Sequence, residues 1–164
     1  MLSKLKIYAP RSIIKSAYHA FITPHINYGL LNWGKASNAT LSPIIKCLEK
    51  ANSIVNSLDN LNSDTKNIFT FEDLHKLSVG KFMWKLHNGM LPASIKAMFK
   101  FKPNHNTVTR ENPKFELPNP EHESKRRFIT FFGLKMWKAI KPTELKDSKS
   151  IEIFTRKLKL SLKS

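Results

Sequence analysis

Phe21-Ile-Thr-Pro-His-Ile-Asn-Tyr-Gly-Leu-Leu-Asn-Trp-Gly34 decides how this 164-residue chain is read. It crowds three aromatics, one His, one Pro and two Gly into fourteen residues, directly after a helical pattern. Upstream, Ile14, Ala17, Tyr18, Phe21 and Ile22 recur at helical spacing, which predicts an amphipathic helix from about Pro10 to Ile22. Pro10 suits its first turn, where a missing N–H is harmless. Pro24 disfavours helix at Thr23 and can open a second helical stretch, with Thr23 in the N-cap place. Gly29 is expected inside a helix, at a cost of about 1 kcal/mol against Ala, where it would admit a close backbone. Tyr28 and Trp33 read as corner and core residues, each with a polar handle.

Outward from this corner the chain is helical in pattern. Leu41, Ile44, Ile45, Leu48, Ala51, Val55 and Leu58 form one face, predicting a helix capped by Asn38 or Thr40. Asn60–Lys66 is a polar connector. Thr70-Phe-Glu-Asp73 has the layout of a capping box, with Asp in place of Glu, and opens a short helix to about Leu77. Gly80 weakens that helix locally, after which Val79, Phe82, Met83, Leu86 and Met90 continue the stripe. Pro92 can start another short helix, from Ala93 to Phe99. Residues 102–125 hold four Pro and four Asn with little apolar periodicity, and read as a long loop. Arg126–Phe132 alternates enough for a short strand or extended arm. A helix over Gly133–Lys141 is expected to stop at Pro142. Ser148 or Ser150 caps a last helix, in which Ile151, Phe154, Leu158 and Leu162 share one face. The expected fold is mostly α: a thumb-like helical region over 1–101, a linker over 102–125, and a basic helical subdomain over 126–164.

Composition bounds the function. Hydrophobic residues make up 41% of the chain, enough for a core. No apolar run is long enough to span a membrane, and the first residues lack the apolar core of a signal peptide, so an intracellular protein is expected. The lone Cys47 excludes a disulfide framework or multi-Cys zinc site and reads as a small buried hydrophobe. The net charge is +16. More than half of that excess lies in residues 124–164, while 101–123 is the only net acidic stretch. So basic a chain is attracted to polyanions, nucleic acid foremost. A basic amphipathic helix also suits anionic membranes, but the last apolar stripe is short and reads as docking surface.

Catalytic patterns are missing. The twelve carboxylates include no Asp-Asp pair for a two-metal site. The six His residues show neither His-Glu-x-x-His nor zinc spacing. There is no Gly-rich phosphate loop, and Ser78-Val-Gly80 lacks the Gly that a nucleophile elbow needs before its Ser. No catalytic residue and no cofactor site is expected in this chain.

Three blocks stand in order along the chain. They are Pro24-His25-Ile26-Asn27-Tyr28-Gly29 with Trp33-Gly34, Phe82 through Gly89-Met90-Leu91-Pro92, and Phe132-Gly133-Leu134-Lys135-Met136-Trp137 followed by Pro142, Ser150 and Phe154–Lys159. This arrangement resembles the C-terminal part of reverse transcriptases from non-LTR (LINE-type) retrotransposons, in the jockey-like and chicken-repeat-like groups, over about residues 10–160. In the third block the family commonly has Trp-Asn-x-Leu-Pro, whereas here the chain reads Trp137-Lys138-Ala139-Ile140-Lys141-Pro142. The resemblance implies thumb helices and a downstream segment of an RNA-directed DNA polymerase. The fingers, the palm with its Asp motif, and the Mg²⁺ that motif binds would belong to sequence before Met1. Pro24, His25, Tyr28, Gly29, Trp33, Gly34, Gly89, Pro92, Gly133, Trp137 and Phe154 would then be structural positions.

The expected function is that of a non-catalytic fragment that contacts template–primer, element RNA or target DNA. The candidate contacts are Lys125, Arg126, Arg127, Lys135, Lys138, Lys141, Arg156, Lys157 and Lys159, acting on phosphates. Trp137 or Phe132 could stack on an unpaired base. The alternatives are an interaction module docking on the missing palm or another partner, and a fragment without function.

Overall fold

The computed structural model describes residues 2–57, 69–100, 115–140 and 148–163. Leu58, the connector Asn60–Lys66, most of the 102–125 segment and Pro142 lie outside them. The protein is mostly α-helical, and no strand occurs among the described residues. It forms two compact units, Met1–His75 and Lys76–Ser164. The boundary falls within a helix, whereas the composition of the sequence suggested divisions near 101 and 125.

The first unit contains α1 (Leu2–Tyr8), α2 (Arg11–Ala17), a π-helical turn (Tyr18–Ile22), α3 (Thr23–Asn27), α4 (Leu30–Trp33) and α5 (Asn38–Asn56). The first turn of α6 (Phe71–His87) completes it. Leu2, Ile14, Tyr18, Leu48, Ala51 and Val55 form its core, with Ile22, Ile26, Phe71 and Leu74 packed against them. The Tyr18 hydroxyl donates to Asn52 Oδ1 at 2.7 Å, and the Asn52 amide donates to the Phe69 carbonyl at 3.4 Å. Burial raises the Tyr18 pKa, so the phenol keeps its proton for this bond.

The Pro24 region departs from expectation. Helix is not interrupted at Thr23. The Thr23 N–H bonds to the Tyr18 carbonyl, five residues back, and the chain runs directly into α3 with Pro24 in its first turn. The wider π turn accommodates a ring that would crowd an ordinary α turn. Thr23 is therefore not an N-cap; its hydroxyl points back to the same Tyr18 carbonyl at 3.5 Å. Gly29 lies between helices and not inside one, at φ 62, a left-handed conformation that glycine adopts without a Cβ clash. The N-cap of α5 is Ser37, which accepts from the Thr40 N–H, and not Asn38 or Thr40. Cys47 is exposed, not buried.

The start of α6 follows its sequence. The Thr70 N–H donates to Asp73 Oδ2 at 3.2 Å, and the Asp73 N–H donates to the Thr70 hydroxyl at 3.2 Å, a reciprocal capping box. From there α6 continues without a break through Gly80. It ends in a Schellman motif: Met90 N–H bonds to the Lys85 carbonyl, Gly89 N–H bonds to the Leu86 carbonyl, and Gly89 takes φ 73.

The second unit consists of the rest of α6, α7 (Ala93–Lys96), α8 (Glu123–Arg126), α9 (Ile129–Ala139) and α10 (Ile151–Lys163). Trp84, Met83, Val79, Leu134, Phe115 and Phe154 are almost wholly buried in it. Trp84 and Trp137 flank the Phe154 ring at 6.1 and 6.0 Å between centroids. Phe115, placed in a linker by its neighbours in sequence, packs on Phe99 and His87, and the Glu116 N–H bonds to the Lys100 carbonyl. Residues 126–132 form no strand: α8 and the start of α9 occupy them. Ser150, not Ser148, caps α10, accepting from the Ile153 N–H at 3.3 Å.

Candidate nucleic-acid interface

Gly80 sets the geometry of the second unit's basic surface. A Cβ built on Gly80 would lie 2.6 Å from Leu158 Cδ2 and 3.6 Å from the Phe154 ring, so α10 packs close on α6 at this point. Gly80 meets Leu158, and Trp84, one turn on, stacks on Phe154, so the two helices run antiparallel. The apolar stripe of α10 is thereby used up: Phe154 is wholly buried and Leu158 nearly so.

Residues beside that contact rise into an open groove of about 690 Å³. Lys81 and Lys85, one turn apart on α6, form one wall. Glu152, Thr155, Arg156 and Lys159 of α10 form the other, with Ile151 and Leu160 between. Desolvation, then the nearby charges of Lys159 and Lys85, lower the Lys81 pKa. The shared lining places these ammonium groups in one region. Among the described residues Glu152 is the one carboxylate of the lining. Its own backbone N–H and the Ser150 hydroxyl hold its pKa down at the start of α10, where a negative charge favours the helix end.

The sequence candidates fall in three places. Lys125, Arg126 and Arg127 are exposed on and just after α8, and Lys125 lies 4.0 Å from Glu121, a surface pair of little energetic weight. Lys135 and Lys138 are exposed on α9, which buries Leu134 and Trp137. Arg156, Lys157 and Lys159 are exposed on α10. Of these, the groove gathers only Arg156 and Lys159. Lys141 lies outside the described residues. Lys81 and Lys85 were missed as contacts. Their signal in the sequence was an i,i+4 lysine pair starting next to a mid-helix glycine, which reads as a solvated face until α10 is packed there.

Of the motif residues, Gly34, Gly133, Trp137 and Phe154 are buried and Trp33 is half-buried. Pro24, His25, Tyr28 and Pro92 are exposed, Tyr28 at 85%. Tyr28 is thus a corner residue through its backbone and not through its ring. Trp137 is packed against His87 and Phe154, which closes it to base stacking, and Phe132 is half-buried.

No group of three or more His, Cys, Asp or Glu side chains among the described residues is placed to hold a metal ion. No helix among them is long and apolar enough to cross a membrane. Comparison with protein-family models, with curated proteins and with solved structures finds no match.

Proposed function

We propose that this chain is a nucleic-acid-binding, non-catalytic piece of a non-LTR reverse transcriptase, corresponding to the thumb and the segment downstream of it. The observation that carries the reading is the exposure of every described candidate cation in the second unit, in a chain of net charge +16. Cations held on the outer faces of packed helices neutralise phosphates and release counterions, which gives affinity without choice of sequence. The order of the three sequence blocks supplies the polymerase part of the reading. Mg²⁺ and the acid residues for nucleotide transfer would belong to the palm.

Filter binding of the protein to RNA hairpins and to duplex DNA across a salt series tests this reading. The expected result is a linear fall of log K with log salt concentration for at least one of the two. Weak binding that does not change with salt would overturn it.

A second reading is favoured by the first unit, where Ile7, Tyr8, Ile13, Phe21 and Tyr28 are each more than half exposed. Where such side chains form one contiguous patch, they mark a surface that another protein covers. In this reading the unit docks on a polymerase palm or on a partner. A protein that stays monomeric at high concentration in sedimentation, and binds no apolar dye, would count against it.

A further inference from the structure

The groove between α6 and α10 goes beyond a generally basic surface. It draws cations from two helices to one place: Lys81 and Lys85 on one wall, Arg156 and Lys159 on the other. These cations share one groove wall to wall; burial, and after it the charges of Lys159 and Lys85, lower the Lys81 pKa. A dense polyanion laid between the walls relieves their repulsion from both sides. The four-residue step from Lys81 to Lys85 rises about 6 Å along α6, which suits successive charges along a strand. Among the described residues the lining holds no aromatic side chain, so it offers bases no stacking platform and addresses the backbone.

Two other polyanionic partners fit less well. An anionic membrane is gripped by a basic helix whose apolar face enters the lipid, and here that face, Phe154 and Leu158, is already buried within the unit. An acidic peptide brings carboxylates at irregular spacing on a chain with its own side chains to place. A phosphodiester strand supplies one charge per residue at regular intervals.

We propose that the α6–α10 groove seats the phosphate backbone of one nucleic-acid strand, with Lys81 and Lys85 contacting it from one side and Arg156 and Lys159 from the other. The proposal rests on the nucleic-acid reading above and adds to it the place and two residues.

The test is fluorescence anisotropy with labelled oligouridylate and oligothymidylate across a salt series. It compares the whole chain with three double variants: Lys81→Gln with Lys85→Gln, Arg156→Gln with Lys159→Gln, and, on α9, Lys135→Gln with Lys138→Gln. Each groove pair should weaken binding on the order of tenfold at low salt and flatten the salt slope by about one per contact removed. The α9 pair should do clearly less. Lys81→Arg with Lys85→Arg should keep wild-type affinity, which separates loss of charge from loss of fold, and circular dichroism melting of each variant checks the fold directly. If the unaltered protein binds an RNA hairpin or duplex DNA but neither oligonucleotide, the groove proposal alone falls; if it binds none of them, the nucleic-acid reading falls and the groove proposal with it. If it binds with a salt slope and the groove pairs bind as tightly as wild type, only the groove proposal falls. Competition by phosphatidylserine vesicles or polyglutamate equal to that by unlabelled oligonucleotide would overturn the strand as occupant.

Discussion

The indole N–H of Trp33 donates to the backbone carbonyl of Tyr28 across 2.7 Å. That bond closes the corner in which Gly29 turns left-handed between α3 and α4. A Cβ on Gly29 would stand 3.4 Å from the Trp33 ring, so the space is sufficient and the backbone angle is the obstacle. Gly29→Ala should therefore cost about 1–2 kcal/mol through φ alone. Trp33→Phe should cost roughly 1 kcal/mol or more, from the lost bond and the reduced contact with Phe71. Urea unfolding followed by circular dichroism reads both. A Gly29→Ala protein as stable as wild type would show that the corner relaxes to negative φ.

Gly34 differs from Gly29 in the nature of its constraint. Its φ is ordinary, but a Cβ would lie 2.5 Å from the Leu30 carbonyl oxygen and collide with the His75 ring. The carbonyl is backbone and cannot swing aside. Gly34→Ala should cost about 1–3 kcal/mol, as overpacking does. His75→Ala should relieve only part of that cost in the double variant, since the contact with Leu30 remains.

His75 makes the first unit sensitive to acid. Burial, then Lys35, lowers its pKa from 6.5 to about 4, while Glu72 acts in the opposite sense. The folded protein therefore holds His75 neutral where the unfolded chain already takes up a proton. Stability from this group is complete above pH 6.5 and is lost as the pH falls from about 6.5 to about 4. The loss should amount to roughly 1–3 kcal/mol. Thermal melts at intervals from pH 7 to pH 4 should show the decline, and His75→Gln should flatten it. An unchanged slope in that variant would assign the acid sensitivity elsewhere.

Cys47 is exposed on α5 beside Leu48, which is buried. The thiol should react with a maleimide in the folded protein at close to the rate of a small free thiol at the same pH. Cys47→Ser should change stability by less than about 0.5 kcal/mol. Protection that disappears only in denaturant would mean that the thiol is covered.

Where one periodicity ruled, the fold was legible in the sequence. The α5 stripe of Leu41, Leu48, Ala51 and Val55 is the buried face, and the Thr70–Asp73 box opens α6 as its spacing implies. What was not legible depended on partners distant in sequence. Gly80 looked like a weak point because propensity prices it alone; packed against Leu158, it is the place where two helices meet. Arg126–Phe132 alternates like a strand, yet no neighbouring strand exists among the described residues to pair with it, and α9 starts within it. Cys47 was judged by its apolar neighbour, although adjacent helix positions point about a third of a turn apart. The candidate interface was legible as an excess of charge and not as a site: Lys81 and Lys85 acquire meaning only beside Arg156 and Lys159.

That groove also has a chemistry of its own. Three of its four cations are lysines, whose charge an acetyl group erases, whereas Arg156 keeps its charge under the same treatment. Acetylation would reduce the cluster to a single guanidinium facing Glu152. Guanidination, which turns lysines into longer cations, would leave the charge in place. The charge of the groove is thus open to covalent adjustment without any change in its backbone, and treating one sample with each reagent separates electrostatics from shape.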